Sequence, residues 1–346
     1  MTQDILFTQE GHIGIITLHR TKALNALTFD MLVALQQKLL AWEEDTSIHA
    51  MVIQAVEGRA FCAGGDVRWI YQCGPGDNPK KMEFFAHEYR LDLFIANLKK
   101  PYIALMDGIT MGGGVGISLH GSHPVATERF RFAMPETGIG FYPDIGSSFL
   151  LTRCPGAWGV YLGLTGSQLG AGDAYALGLV KYILPSENLP AMMKRLLAAD
   201  LSIDAHERVS GILKSFQQIA QPELVHQITS SVNDCFQHQQ MEAIMASLLT
   251  NTAEWHQQTY QLLMKRSPLS LKVTLEQLQR AKSLTVAECL QMDYGLTQHF
   301  MQDVDFFEGV RALLVDKDNA PNWQPSDLSQ VTIEKVRDYF EKIEPC

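Results

Sequence analysis

The chain has 346 residues, 46% of them hydrophobic and 19% charged, enough to bury a large core as one large domain or two modest ones. A formal charge of −10 and a pI near 5.5 exclude a general electrostatic pull toward nucleic acid or an anionic membrane, and no stretch approaches the roughly 18 consecutive apolar residues of a spanning helix. The N-terminal MTQDILFTQEGHIGIITLH has neither the basic and apolar regions of a signal peptide nor an Arg-rich organelle signal, and the six cysteines (Cys62, Cys73, Cys154, Cys235, Cys289, Cys346) form no CxxC pair. The expected setting is therefore the cytoplasm, with reduced thiols and no disulfide framework or metal site.

In chain order, residues 13–18 read as a strand, and after the loop TKALNA, Thr28 is placed to cap a helix whose Leu32, Leu35, Leu39 and Trp42 share one face. Residues 50–56 and 102–106 read as further buried strands. Between them 75–81 (PGDNPKK) reads as a polar loop, and 83–97 as a helix that carries Glu88. Glycine and proline crowd residues 108–178 and then thin out. From about residue 186 helix follows helix, with capping signals at Thr285/Glu288 and Asn251/Glu254. The expected division is a mixed α/β catalytic core over 1–186 and a helical region over 187–346. Chemistry is expected in the glycine-rich part, because glycine is needed where backbone approaches a ligand.

Two glycine loops follow expected strands: GRAFCAGGD (58–66) and DGITMGGGVGIS (107–118). Both can present backbone N–H groups, and the second opens toward a helix N-terminus, so together they suit a two-donor oxyanion hole. Spacing excludes other uses of these glycines. Gly112, Gly114 and Ile117 lack the third glycine of a dinucleotide fingerprint, no Lys-Ser or Lys-Thr follows for a P-loop, and Ser118 meets His120 where a nucleophile elbow needs glycine. His120 and His123 do not form an HExxH pair. The third element, FAMPETGIGFYPDIGSSF (132–149), sets Glu136 and Asp144 among apolar residues and glycines. Burial there would raise a carboxyl pKa and suit general acid–base or nucleophilic work. Attack on a thioester needs both an oxyanion hole and a poised carboxylate.

FCAGGD, GITMGGGVGIS and MPETGIGFYPD, in this order, resemble the crotonase superfamily and within it the 3-hydroxyisobutyryl-CoA hydrolase branch. The likeness extends to EYRLDLFIANLKKPYIAL, LTGSQLGAGDAYALGLV and FFEGVRALLVDKDNAPNW, and is weakest over 188–265. It implies a spiral of ββα repeats with a helical C-terminal region, and a thioester carbonyl held by the amides of Gly65 and Gly113. Hydratases of the superfamily carry a first glutamate three residues beyond that second glycine, where this chain has Gly116. Glu136 matches their second glutamate, and Asp144 matches the aspartate that the hydrolase branch adds. The implied reaction is hydrolysis of a short 3-hydroxyacyl-CoA, first of all 3-hydroxyisobutyryl-CoA, with 3-hydroxypropionyl-CoA or another short acyl thioester as the alternatives. Glu136 would attack the thioester to form an anhydride or activate a water, and Asp144 would hold the 3-hydroxyl or assist proton transfer. Glu88 would bind substrate.

Lys22 in TKALNA, Arg59 and Lys317 are the expected cations for the coenzyme A phosphates, since a net-acidic chain must meet phosphates with local cations, and Ala23 and Asp66 complete the expected coenzyme A contacts. Coenzyme A is part of the substrate, so no separate cofactor is expected. A homo-oligomer is in keeping with superfamily relatives. The rival readings are an enoyl-CoA hydratase or isomerase, opposed by Gly116, and a non-catalytic coenzyme A binder, opposed by the presence of both Glu136 and Asp144. RNA binding finds no stripe of basic residues interleaved with aromatics.

Overall fold

The computed structural model describes residues 3–76 and 78–341, so Cys346 and Asp77 lie outside the described residues. Contacts divide the chain into two compact units that interleave along the sequence. The first unit is Met1–Gly65, Arg90–Phe132 and Leu169–Val225; the second is Asp66–Tyr89, Ala133–Gln168 and His226–Cys346.

The first unit is built on strands β1 (Ile5–Glu10), β2 (Ile13–Leu18), β3 (Ala50–Ala55), β4 (Ala60–Cys62), β5 (Tyr102–Met106), β6 (Ile109–Met111), β7 (His123–Ala126), β8 (Arg131–Ala133) and β9 (Tyr182–Ile183). One sheet has the order β1-β2-β3-β5-β7-β9, antiparallel only at β1 and β2, and the other has the order β4-β6-β8. Successive strand pairs β3–β4, β5–β6 and β7–β8 give their first strand to the larger sheet and their second to the smaller. Each pair adds one step in both sheets, which is the expected spiral.

Strands β2, β3 and β5 are apolar on both faces, as a covered parallel sheet requires. Ile13, Ile15, Ala50, Val52, Ile103 and Leu105 recur at period two and pack with Met192, Leu196, Val209 and Leu213 of helices Leu189–Ala198 and Ala205–Phe216. On β2, Gly14 leaves room for the Trp42 ring of helix α1 (Phe29–Glu44), which Thr28 caps by accepting from Met31 N–H at 3.2 Å. The strands not read from the sequence are β1, which is mostly exposed, β4, β6 and β8, three residues each, β7, four residues, and β9, two residues.

The second unit is mainly helical. Helix α2 (Val67–Gln72) precedes α3 (Pro79–Ala96), whose last turns pass into the first unit at Arg90. The expected loop 75–81 is shorter than read, because Pro79–Lys81 begin α3. Lys81 is fully buried and donates to the carbonyl oxygens of Gly74 (2.6 Å), Gly76 (2.8 Å) and Met301 (3.2 Å). Thr285 and Glu288 make the full capping box, with Thr285 N–H donating back to the glutamate at 2.8 Å. The box expected at Asn251 and Glu254 does not form. Asn251 instead accepts from Ala253 N–H (3.0 Å), two residues on, and Ala253 occupies the cap position.

Helix α4 (Gly113–Leu119) packs so closely on β4 that a Cβ on Gly114 would run into the carbonyl of Cys62. Gly114→Ala should therefore destabilise the protein by about 1–3 kcal/mol, the usual range for overpacking a tight core. Denaturant unfolding checks this; an unfolding free energy equal to that of the parent would contradict the contact.

Candidate active site

In the first unit the two glycine loops lie side by side because β4 and β6 run parallel, with Ala60 opposite Ile109 and Cys62 opposite Thr110. Gly64 (φ +114°) faces the second loop: a Cβ there would stand 3.7 Å from the amide nitrogen of Gly113. Gly113 is the first residue of α4, so its N–H has no partner within the helix. Gly65 bridges Leu27, and that pairing uses the carbonyl of Gly64, which accepts from Leu27 N–H at 2.8 Å, and not the amide of Gly65. Two amides in neighbouring turns are thus available to polarise a carbonyl.

The TKALNA loop braces this arrangement. Leu24 and Asn25 take left-handed conformations, Ala63 N–H donates to Leu24 O (3.0 Å), and Asn25 Nδ2 donates to Ala60 O (2.9 Å). Lys22 sits exposed on the 3-10 turn Thr21–Ala23 and Arg59 is exposed on the adjoining loop, where Thr21 would lie 3.6 Å from a Cβ on Gly58. Asp66 has a structural use, accepting from Trp69 N–H (3.2 Å) as the cap of α2. Lys317 is exposed with φ +60°, in a turn organised by Arg311, which donates to Glu308, Asp316 (2.7 Å) and Asp318 (2.6 Å).

At position 116 the space for a side chain is already taken. A Cβ on Gly116 would lie 2.6 Å from Oδ2 and 2.7 Å from Oδ1 of Asp92, a buried carboxylate on α3. The helix face one turn on from Gly113 therefore meets an acid delivered from another element.

In the second unit Glu88, Glu136 and Asp144 come together, all nearly buried, at 2%, 6% and 6% exposure. Glu136 opens the 3-10 turn Glu136–Ile139, and Asp144 follows the aromatic pair Phe141–Tyr142. Burial, aided by the charge of Asp144, pushes Glu88 and Glu136 well above the usual carboxyl range; Arg266 opposes the shift at Glu136. Burial also raises Asp144 to about 7, although the Tyr89 hydroxyl favours its ionised form. Such groups hold or release a proton near neutrality.

The supports of Asp144 were not legible in the motifs. Tyr89 donates to Asp144 Oδ2 at 2.8 Å and shares a 2.8 Å hydrogen bond with Thr297, which in turn meets the Tyr142 hydroxyl at 2.7 Å. Asp293 accepts from Gly146 N–H (2.7 Å) and from Gln277 Nε2 (2.8 Å), and Gln277 also donates to Pro143 O (2.9 Å). Both sides of Asp144 are thereby fixed. The available signal was the polar pair Asp293 and Thr297, four apart on one face of a helix otherwise lined by Cys289, Leu290, Leu296 and Phe300. Arg266 lies at the edge of the least informative stretch. Among the described residues no group of three or more His, Cys, Asp or Glu is arranged to hold a metal ion, and no helix is long and apolar enough to cross a membrane.

The model of the enoyl-CoA hydratase/isomerase family matches residues 13–340. The chain belongs to that family. Among curated members it is 40% identical to 3-hydroxyisobutyryl-CoA hydrolase of Rattus norvegicus, over 99% of this chain and 90% of that one, and 38% identical to the hydrolase of Homo sapiens, over 99% and 89%. Both are named as mitochondrial. Two solved structures of the family are 35% identical and cover 99% of this chain and 98% of theirs. They are titled a carnitinyl-CoA dehydratase from Mycobacterium thermoresistibile, with a TM-score of 0.92, and an enoyl-CoA hydratase from Rhodobacter sphaeroides, with a TM-score of 0.91.

The raised Asp144 carboxyl has a consequence for stability. Its folded value near 7 exceeds the ~3.9 of an unfolded aspartate, so its contribution is fully present below about pH 4 and is lost as pH rises through 7. Asp144→Asn should therefore gain stability over the parent, with a larger gain at pH 8 than at pH 4.5. Denaturation midpoints at the two pH values check it; an equal difference at both would show that Asp144 titrates normally.

Proposed function

We propose that this family member hydrolyses a short-chain 3-hydroxyacyl-CoA thioester, with 3-hydroxyisobutyryl-CoA, the compound in its relatives' names, as the first substrate. Water and thioester yield 3-hydroxyisobutyrate and free coenzyme A. The amides of Gly65 and Gly113 would take the negative charge that develops on the carbonyl oxygen. Glu136 would act on the acyl carbon, either directly, through an anhydride that water then opens, or by taking a proton from the attacking water. Asp144, poised near neutrality, would hold the 3-hydroxyl or pass a proton, and Glu88 would contact the acyl group. Lys22, Ala23, Arg59, Asp66 and Lys317 stay proposed coenzyme A contacts on the strength of the resemblance. No further cofactor is invoked.

The observation that carries this reading is position 116. Adding water across a double bond requires both a base for the water and an acid at the α-carbon. Here the first hydratase glutamate is a glycine backed by Asp92, whereas Glu136 and Asp144 are both present. Hydration is the second reading, favoured by the titles of the two solved structures. Self-association belongs to the same proposal and rests on the resemblance alone. The cytoplasm stays the proposed setting, although the relatives are named as mitochondrial proteins.

A panel of acyl-CoA thioesters, scored in parallel for thiol release and for hydration, separates the readings. Thiol release from 3-hydroxyisobutyryl-CoA with negligible hydration of crotonyl-CoA is expected, and efficient hydration without thiol release would favour the second reading. Gly113→Val should cost about 2.7–4 kcal/mol of transition-state stabilisation by displacing one amide donor. A folded Gly113→Val protein with the parent rate would remove the oxyanion assignment. Gly116→Glu should not create a hydratase, because the added carboxylate meets Asp92; crotonyl-CoA hydration by that variant would contradict the steric account.

A further inference from the structure

Gly138, two residues beyond Glu136, makes room for a cation. A Cβ there would collide with Nη1 of Arg266. The guanidinium also donates through Nη2 to Thr165 O at 2.5 Å, and its Nε is buried without a hydrogen-bond partner. The backbone beside it is anchored to the same turn. Ser267 N–H donates to Thr137 O (3.3 Å), Thr137 Oγ1 donates to Leu164 O (2.9 Å), and Ser267 Oγ donates to Asp305 Oδ2 (2.6 Å) while capping the helix Pro268–Ala281. An arginine serving only solubility would keep its head in water and need no such seat.

The charges facing Glu136 come from three elements: Asp144 from the loop after Tyr142, Glu88 from α3, and Arg266 from the turn before Pro268. Two are like charges, and Arg266 is the opposing one. A planar guanidinium pressed against Gly138 is held in a fixed orientation.

We propose that Arg266 is a positioning residue for the hydrolysis, its guanidinium, seated against Gly138, holding the turn that carries Glu136 and setting a positive charge toward that carboxyl group. The inference rests on Glu136 being the reacting group. Removing the cation leaves Glu136 facing Asp144 and Glu88 alone, so it holds its proton to higher pH and the active fraction at neutrality falls.

The test is the pH profile of thiol release from 3-hydroxyisobutyryl-CoA for Arg266→Gln, Arg266→Lys and Gly138→Ala. In parallel, Glu136 is titrated by carbon-13 NMR of glutamate-labelled protein, its signal identified by loss in Glu136→Gln. In Arg266→Gln the acid limb of kcat should move up by about one pH unit or more, with KM within about twofold of the parent and the Glu136 resonance moving in step. Arg266→Lys should recover part of the shift. Gly138→Ala, which displaces the guanidinium and keeps its charge, should move the limb the same way. Should the glutamine variant fail to fold, the other two carry the comparison. Limbs and resonances that stay at the parental pH in the folded variants, whatever the loss of rate, would overturn the inference. If the parent protein releases no thiol, the proposed hydrolysis fails, and the Glu136 titration still decides whether Arg266 sets its charge.

Discussion

Three carboxyl groups withdrawn from water, with one guanidinium opposing the charge of Glu136, form the constraint on which the second unit depends. Isolated carboxylates of this kind are too costly to bury ionised, so they shift upward and share protons. The surrounding sequence reads as a response to that cost. Tyr89 spends its hydroxyl on Asp144, Thr297 ties Tyr89 to Tyr142, and Asp293 holds Gly146 and Gln277 on the far side of the same loop. Glu136 and Glu88 are left with an oxygen apiece, Oε2 and Oε1, that is buried without a hydrogen-bond partner. Unpaired buried acceptors are expensive in a resting fold and suited to a substrate that brings donors.

The first unit solves a different problem, which is to present backbone amides and no side chains. Parallel pairing of two three-residue strands sets two glycine turns abreast, and the left-handed Leu24–Asn25 segment straps them from outside. Glycine at 114 permits the close approach of α4 to Cys62, and glycine at 116 leaves Asp92 its place. The same packing leaves no room for a side chain at position 116.

Much of this was legible from residue order. Strands β2, β3 and β5 announced themselves as apolar runs bounded by polar or glycine turns, and Glu136 and Asp144 stood out as acids without basic neighbours. What stayed hidden has a common physical cause. β4 and β6 are too short for a period to register. Arg266 and Asp92 act through close packing on glycines 138 and 116, and a glycine in sequence does not disclose what fills the space beside it. Asn251 resembled a helix cap and instead closes a local turn, because its side chain reaches a backbone N–H two residues on before the helix begins.

The central claim is that Glu136 does the chemistry, and Glu136→Gln addresses it most directly because it keeps size and hydrogen-bonding capacity while removing the charge. Coenzyme A binding and thiol release from 3-hydroxyisobutyryl-CoA should be measured on the same folded preparation. The account predicts coenzyme A affinity close to the parent and a loss of turnover of about 10²–10⁴-fold. A folded Glu136→Gln protein that binds coenzyme A and releases thiol at the parental rate would contradict it.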